Sequence, residues 1–395
     1  MNRAAIAVAI AILGCNSGSA TPDPRPQPAP REVPRDASVD ADVSGLAGKP
    51  LYLALCAPCH GVEGKGYAAD RAPSLVSPTF LESASDDFLR RAIAAGRPGT
   101  SMAAYSKGVG GPLDDAGVNR LVAYLREQGP AVRPLPAPAV GDVATGSAVY
   151  AKHCFSCHGD ARTRGEAVSL VNPVFQATAT AAFVRHAVVA GRPGTKMEAF
   201  ADKLSTAQID GVVSYVRGLG NGGVPLPNLL PEPTGKEPIV LNPSGRHPAF
   251  TPRATECPPA APGSPPCKPD PRFVSVDQVA KAFAAKQRMV IIDARPPSEW
   301  MRVHITGAVS IPYHDMKRLD EIPRDGTWIV AYCACPHHLS GIVVDELRNR
   351  GYVHAVVLDE GINEWHRRGL PVVAAEGVVQ PPAEPAAARG PRAPR

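Results

Sequence analysis

The sequence has few aromatic residues, no long apolar run and only a small excess of positive charge. Aromatic residues make up 5% of the 395 residues, so each folded core has little ring volume, and such cores often borrow apolar volume from a cofactor. The formal net charge is +5 with no basic cluster, which argues against nucleic acid as a partner. The longest apolar run, residues 4–14, is too short to span a bilayer, which excludes integral membrane transport.

The length and the proline content predict several folded units joined by linkers. A chain of this length holds two or three domains, and 44% apolar residues are enough for folded cores. Proline and glycine number 44 and 36, which is high for a purely globular chain. We therefore expect compact domains that alternate with proline-rich connections.

The first fifteen residues are typical of an export signal. Arg3 precedes an unbroken apolar stretch, and the small Gly14 stands just before Cys15. This resembles a bacterial lipoprotein signal over 1–15, in which Cys15 becomes the lipidated N-terminus, followed by a disordered tether over 16–44. The alternative is an ordinary export signal with an incidental cysteine. Both predict a periplasmic protein, and the first adds a membrane contact through an N-terminal lipid anchor.

Four of the nine cysteines lie in two copies of the pattern Cys-x-x-Cys-His. The copies are Cys56, Cys59 and His60, and then Cys154, Cys157 and His158. Two thiols one helical turn apart can each form a thioether with a haem vinyl group, and the adjacent histidine reaches the iron. A redox dithiol is the competing interpretation, but two copies each followed by histidine in an exported chain argue against it. We predict two covalently bound haem c groups.

The two motifs belong to an internal repeat of about 85 residues. Residues 74–102 and 169–197 match at 16 of 29 positions, and both segments end in Gly-Arg-Pro-Gly-Thr-x-Met. Met102 and Met197 therefore occupy the same place in the two copies, in a loop after proline and glycine. Such a loop can lay a thioether on the second face of the haem iron.

Met102 is the only methionine between residues 45 and 130, so we predict it as the second iron ligand of the first copy. We predict Met197 for the second copy. His153 and His186 are nearby alternatives to Met197, and the lysines at 65 and 107 are further alternatives in the first copy.

Each copy resembles a small mono-haem class I cytochrome c domain, over 45–130 and 140–220. The resemblance rests on the haem motif, the methionine loop and the apolar helical spacing at both ends of each copy. It implies that the first and last helices cross at a glycine and an aromatic residue. It also implies that Pro73 turns its carbonyl toward His60, whereas Val168 stands at that place in the second copy, where we expect the histidine to be held differently.

Residues 221–271 read as a proline-rich linker. Cys257 and Cys267 lie in it, and in an oxidising compartment we expect them to form a local disulfide. A metal or redox pair is the alternative.

Residues 272–375 alternate between apolar strands and helices, which predicts an α/β domain with a parallel sheet. Strands are expected at 290–292, 308–312, 328–332 and 355–358, and helices at 340–348 and 362–368, before a disordered tail over 376–395. Cys333 follows the third of these strands and precedes a helix. Backbone N–H groups at such a position stabilise a thiolate or an anion.

This stretch resembles a rhodanese domain. The matching parts are Asp293-Ala294-Arg295-Pro296 with Glu299-Trp300, and the tail 358–372. Rhodaneses carry sulfane sulfur as a cysteine persulfide, and the resemblance gives Cys333 the nucleophile's place. Cys335 is the alternative nucleophile, because the loop holds a second cysteine, two histidines and no arginine, and its length is off by one residue. A Cu(I) or Zn site in this loop is a further alternative.

The sequence thus predicts a multidomain protein, two all-α cytochrome c domains followed by an α/β rhodanese-like domain. The predicted function is periplasmic electron transfer linked to inorganic sulfur oxidation, with redox proteins and a small inorganic sulfur anion as partners. Two alternatives remain: a respiratory electron carrier whose last domain only docks or senses, and an enzyme that is mainly a thiosulfate sulfurtransferase.

Overall fold

The computed structural model describes residues 43–66, 72–220, 229–254, 269–334 and 337–378. Four residues of the sequence predictions lie outside these ranges: Cys15, Cys257, Cys267 and Cys335. Within the ranges, every helix is too short or too polar to cross a lipid bilayer.

Two sets of five α-helices come first. Domain 1 holds α1 (Gly48–Leu55), α2 (Ala57–His60), α3 (Pro78–Leu81), α4 (Asp86–Ala95) and α5 (Asp115–Arg126). Domain 2 holds α6 (Val143–His153), α7 (Phe155–His158), α8 (Pro173–Thr178), α9 (Ala181–Ala190) and α10 (Thr206–Gly218). The same element order in both confirms that the sequence repeat is a structural repeat.

Equivalent hydroxyl residues begin equivalent helices. Ser85 caps α4 by accepting a hydrogen bond from the Phe88 N–H, and Thr180 caps α9 by accepting one from the Phe183 N–H. Each cap satisfies a backbone donor that has no partner within its helix. The residues that determine where these helices begin are therefore local in sequence and occupy the same place in both copies of the repeat.

The first and last helices of each domain cross closely. A Cβ atom at Gly48 would lie 2.8 Å from the Tyr124 Cβ, and one at Gly146 would lie 2.0 Å from the Gly211 oxygen, so a glycine is needed at each crossing. Aromatic rings close both crossings, Tyr52 with Tyr124 at 5.1 Å and Tyr150 with Tyr215 at 5.2 Å. The crossing that the resemblance implied is confirmed in both domains.

The two helical domains pack through repeat-equivalent aromatic rings. Phe88 and Phe183 lie 4.8 Å apart between ring centres, with Phe80 and Phe175 at their edges. Hydrogen bonds flank the rings: the Thr79 hydroxyl donates to the Gly191 oxygen, and the Asn172 amide donates to the Pro98 oxygen. The domains thus join along the segments that precede their methionine loops and along the first residues of those loops.

The α/β domain follows. Its strands are β1 (Arg253–Ala254), β2 (Pro271–Val274), β3 (Met289–Asp293), β4 (Val303–Ile305), β5 (Val309–Ser310), β6 (Trp328–Tyr332), β7 (Ala355–Leu358) and β8 (Val372–Ala374). Its helices are α11 (Val276–Ala284), α12 (Pro297–Trp300), α13 (His338–Asn349) and α14 (Gly361–Arg367). The four expected strands and both expected helices are present.

Six strands form the main sheet in the order β1-β2-β7-β6-β3-β5. The neighbours from β2 to β5 are parallel, and only the edge pair β1–β2 is antiparallel. A separate antiparallel pair, β4–β8, was not expected from the sequence. The central strands are buried because helices cover both faces of a parallel sheet.

The alternation of side chains along β6 decides where Cys333 points. Ile329, Ala331 and Cys333 belong to the apolar cluster on the α13 face, whereas Val330 and Tyr332 belong to the cluster under α11 and α14. The α13-face cluster is continuous with the cores of both helical domains. Cys333 therefore faces the side of the sheet on which the helical domains pack.

Part of the expected linker packs against the α/β domain instead. The Leu241 N–H and oxygen pair with the backbone of Met289, and Glu237 forms an ion pair with Arg318 at 2.9 Å. Strand β1 extends the main sheet. The linker prediction is therefore wrong for residues 229–254, because proline-rich extended backbone can still pair with a sheet edge.

A buried ion pair supports the carboxyl end of β3. The Arg295 guanidinium donates to both carboxylate oxygens of Asp293, at 2.9 and 2.7 Å, and the Tyr332 hydroxyl donates to the same carboxylate at 2.9 Å. Asp293 is 0% exposed and Arg295 is 3% exposed. Because Tyr332 directly precedes Cys333, this network also fixes the end of β6.

Replacing Arg295 tests this network. We expect Arg295→Met to destabilise the α/β domain by about 3–5 kcal/mol, since it leaves a buried carboxylate without its cation. Urea unfolding of the full chain, followed by tryptophan fluorescence, reports on this domain alone, because Trp300, Trp328 and Trp365 are the three tryptophans of the chain.

Lys317→Met is the matched control. Lys317 pairs with Asp315 at 3.7 Å and both side chains are exposed, so the free energy of unfolding should change by less than about 0.5 kcal/mol. An equal effect of the two substitutions would contradict a structural role for the buried pair.

Candidate haem and sulfur sites

Each Cys-x-x-Cys-His motif forms one short helical turn. The His60 N–H donates to the Cys56 oxygen at 2.8 Å, and the His158 N–H donates to the Cys154 oxygen at 2.9 Å. This turn places the two thiols and the imidazole of each motif on adjacent positions of one helix, as two thioethers and one iron ligand require.

Backbone carbonyls orient both histidines. The Nδ1–H of His60 donates to the Pro73 oxygen at 3.0 Å, as the resemblance implied. The expectation that His158 is held differently is wrong, because its Nδ1–H donates to the Val168 oxygen at 2.7 Å. The contact is made by the backbone, so proline is not required. A histidine bonded through Nδ1 presents Nε2 to a metal, and burial lowers the pKa of His158, which favours the neutral ring that a metal binds.

The methionine loops have the same backbone in both domains. The Arg97 N–H donates to the Met102 oxygen and the Arg192 N–H to the Met197 oxygen, both at 2.8 Å. Gly96 begins the first loop with φ +63°, and a Cβ there would lie 2.5 Å from the Met102 oxygen. Both methionines pack, half-buried, against the same core as Cys56, Cys59 and Cys154.

The alternative iron ligands have other contacts. His186 Nε2 lies 2.8 Å from a Glu82 carboxylate oxygen across the boundary between the helical domains. The His153 ring packs on Phe200, with ring centres 6.0 Å apart. The ammonium of Lys65 forms an exposed ion pair with Glu63. These contacts leave the methionines as the better candidates.

The first cysteine of each motif favours thioether chemistry over a redox dithiol. Burial raises the pKa of Cys56 to about 12 and that of Cys154 to about 11. A redox dithiol needs a thiolate, and therefore a lowered pKa, at its attacking cysteine. Cys56 and Cys154 thus lie in an apolar setting that suits an apolar macrocycle.

Among the described residues, the half-buried Arg97 has one guanidinium nitrogen without a hydrogen-bond partner. The guanidinium of Arg97 lies 5.1 Å over the Phe88 ring, and its Nη1 is buried with no hydrogen-bond partner among the described residues. Its repeat equivalent Arg192 donates to the Thr79 oxygen at 2.8 Å. A buried unpaired donor of this kind fits an anionic group such as a haem propionate, so the residues present fit haem c. The repeated Gly-Arg-Pro-Gly motif was the sequence signal for both arginines, which we had not predicted as site residues.

Cys333 lies at the carboxyl end of β6, as predicted, but its thiol is buried. It is 1% exposed, and its Sγ lies 3.3 Å from the Ser340 Oγ on α13. The alternative nucleophile Cys335 lies outside the described residues, so the choice between the two cysteines stays a prediction.

Contacts on both sides hold the loop after Cys333. The Ala334 oxygen accepts a hydrogen bond from the Asn363 amide at 3.1 Å, and His337 lies 3.0 Å from an Asp359 carboxylate oxygen. Gly361 has φ +61°, and a Cβ there would lie 2.3 Å from the Cys333 oxygen. Within the described ranges, no group of three or more His, Cys, Asp or Glu side chains could hold a metal ion.

Three family descriptions match the chain. "Cytochrome c" matches residues 46–129, "Cytochrome C oxidase, cbb3-type, subunit III" matches residues 141–216, and "Rhodanese-like domain" matches residues 275–368. The three ranges coincide with the two helical domains and the α/β domain.

Three similar proteins each match part of the chain. A sulfurtransferase of Allochromatium vinosum is 30% identical over 113 residues, which are 26% of this chain and 96% of that protein. A cbb3-type cytochrome c oxidase subunit of an Azospirillum species is 28% identical over 204 residues, 46% of this chain and 66% of that subunit. A dihydro-haem d1 dehydrogenase of Pseudomonas aeruginosa is 37% identical over 82 residues, 21% of this chain and 16% of that enzyme. The chain spans just under two thirds of the oxidase subunit.

Methionine substitutions test the iron ligands separately. Met102→Ala should remove the sulfur-to-ferric-iron absorption band of one haem and lower its reduction potential, because it removes a thioether ligand. Met197→Ala should do the same for the other haem, so each variant is the control for the other. If each variant keeps the full band of the unaltered protein, the ligand assignment is wrong in both domains.

Proposed function

We infer the function from two family memberships: residues 46–129 and 141–216 form cytochrome c domains, and residues 275–368 form a domain of the rhodanese-like family. We propose that the protein is an exported dihaem electron carrier whose last domain handles sulfur during the oxidation of inorganic sulfur. We further propose that a lipid on Cys15 anchors it to a membrane.

One observation supports this combination most directly. Helix α2, which carries the first haem motif, packs against α13, the helix that follows Cys333. The candidate haem ligands and the candidate sulfur nucleophile therefore belong to one packed unit.

The electron-carrier role rests on the two haem motifs and their methionine loops. His60 with Met102, and His158 with Met197, would ligate one iron each, and Arg97 would neutralise a propionate. Bound in this way, a haem supplies a one-electron centre whose potential is raised by methionine ligation. The oxidase subunit among the relatives supports a redox protein as the partner.

The sulfur role rests on Cys333 and its place before α13. With thiosulfate, the thiolate attacks the sulfane sulfur, a new S–S bond forms and sulfite leaves, so no electrons are released. With hydrosulfide, the thiolate sulfur and the hydrosulfide sulfur form an S–S bond while the S–H bond breaks, one proton goes to water and two electrons are released. Two one-electron centres match these two electrons.

The burial of Cys333 favours a second candidate function. A thiol that is 1% exposed is poorly placed for attack on a dissolved anion, as expected if the rhodanese-like domain only docks or senses beside a respiratory carrier. Stopped-flow reduction by sulfide separates the two functions. Reduction that is lost in Cys333→Ser supports sulfur oxidation, and reduction that is indifferent to this change supports the respiratory carrier.

Haem content is the most basic test. A pyridine haemochrome assay on the purified full chain should return two covalent haems per chain, because both motifs are intact. Cys154→Ala with Cys157→Ala should return one. A value of one for the unaltered chain would contradict the dihaem proposal.

Persulfide formation tests the sulfur site. After incubation with thiosulfate, mass spectrometry of the tryptic loop peptide should show a mass increase of one sulfur atom on Cys333, because a thiolate is favoured before a helix N-terminus. Cys333→Ser and Cys335→Ser are the paired controls. An adduct that persists in Cys333→Ser moves the nucleophile to Cys335, and no adduct in a reduced, folded domain contradicts catalysis.

A further inference from the structure

The two cytochrome c domains present the same face in opposite surroundings. We define the methionine-loop face as the haem-motif helix together with the methionine loop: α2 and residues 97–105 in domain 1, and α7 and residues 192–200 in domain 2. Ala57 is 1% exposed, whereas its repeat equivalent Phe155 is 38% exposed. Ala104 is also 1% exposed, and its equivalent Ala199 is exposed. The face is covered in domain 1 and open in domain 2.

The rhodanese-like domain provides the cover. The Ser298 hydroxyl donates to the Ala104 oxygen at 2.6 Å, and the Ser101 hydroxyl donates to the Ala334 oxygen at 3.2 Å. Ala334 is the residue after Cys333, and Ser101 is the residue before Met102. We call Cys333 and Ala334 the sulfur loop. A hydrogen bond therefore joins the sulfur loop directly to the first methionine loop.

Two buried tyrosines extend this contact to the haem motif. Tyr105 of domain 1 and Tyr313 of the rhodanese-like domain both donate to the Leu55 oxygen, at 3.0 and 2.9 Å, and their hydroxyl oxygens lie 3.2 Å apart. Leu55 directly precedes the motif cysteine Cys56. In domain 2 the equivalent of Tyr105 is Phe200, which has no hydroxyl to make such a contact.

The contact brings the two candidate redox centres close. Met102 is one residue from Ser101, and Cys333 is one residue from Ala334. Each of these steps adds about 3.8 Å between Cα atoms to the span of the Ser101–Ala334 hydrogen bond. The Cα atoms of Met102 and Cys333 therefore lie no more than roughly 16 Å apart. Electron-transfer rates fall steeply with distance, so the first domain is far better placed than an external partner to take electrons from the sulfur loop.

We propose that the methionine-loop face of domain 1 is an internal docking surface through which electrons pass from the sulfur loop into domain 1. Domain 2, whose equivalent face is open, is then the side at which electrons leave the chain. This inference rests on the proposed function for the source of its electrons, while the docking itself can be tested separately.

The repeat supplies its own disrupting variant. At the positions of Ser101 and Ala103, domain 2 has Lys196 and Glu198, both exposed. The double variant Ser101→Lys with Ala103→Glu places two long charged side chains on the covered face. Domain 2 folds with these residues at the same places, so domain 1 should keep its fold and its sulfur-to-iron band. The reverse exchange, Lys196→Ser with Glu198→Ala, is the matched control.

The first measurement is hydrogen exchange on the full-length haem-loaded protein. Amides of residues 97–106 should exchange slowly in the unaltered protein and in the control, and at least tenfold faster in the disrupting variant. If residues 97–106 exchange as fast as residues 192–201 in the unaltered protein, the face is open in solution and the docking is wrong.

The second measurement is stopped-flow reduction by sulfide. Haem reduction should be at least tenfold slower in the disrupting variant than in the control, whereas reduction by ascorbate should not slow. If docking is lost and the sulfide rate is unchanged, electrons do not pass through this face. If sulfide reduces no form of the protein while residues 97–106 stay protected, the sulfur-oxidation function fails and the docking surface stands.

A substitution in the rhodanese-like domain tests the same contact without changing the sequence of domain 1. Tyr313→Ala leaves domain 1 unaltered in sequence and removes the phenol that reaches Leu55. It should also speed exchange of residues 97–106 and slow reduction by sulfide. If it changes neither quantity, the inference is overturned, even if the first variant fails to fold.

Discussion

One continuous apolar core joins both cytochrome c domains to the α13 face of the parallel sheet. Small helical domains with few aromatic residues bury little surface by themselves. Packing against a neighbouring domain buries additional apolar surface. Two such contacts are present here, one at the phenylalanine cluster between the helical domains and one between the first helical domain and α13. The candidate redox groups lie where they do because this core holds the three domains together.

The two copies of the repeat have the same fold, but their methionine-loop faces differ in exposure. The residues that build the fold, such as the crossing glycines Gly48 and Gly146, are shared. The methionine loops are mostly identical in the two domains, but Ser101 and Tyr105 stand against Lys196 and Phe200. Small and hydroxyl-bearing groups suit a covered surface, and charged groups suit an open one. These two differences therefore agree with the different surroundings of the two loops.

In the rhodanese-like domain, polar groups fix the strand end that precedes Cys333. The Asp293–Arg295 pair is buried and bidentate, and Tyr332 adds a third hydrogen bond next to Cys333. Burial also raises the pKa of Glu299 beside this pair. Loss of one partner would leave a buried charge, so the arrangement tolerates little movement. Because Tyr332 belongs to this network, the position of the next residue, Cys333, is also constrained.

Local signals in the sequence determined much of this protein. The haem motifs, the methionine loops and the strand–helix alternation predicted the domains and their order, because ligand spacing and apolar periodicity are properties of neighbouring residues. The place of Cys333 at the end of β6 followed from the same pattern. The strand pair β4–β8 and the pairing of residues 229–254 with the sheet could not be predicted, since their partners are distant in the chain.

The tertiary structure alone decided how the sites are arranged. Nothing local to Val168 indicates that its carbonyl holds His158, because a backbone contact leaves no mark on residue identity. The burial of Cys333 and the covering of domain 1 arise from surfaces that are far apart in sequence and meet only after folding. The sequence by itself determined which candidate redox residues the chain carries. The packing between domains decided which of them face each other, because that packing depends on long-range contacts that no local pattern encodes.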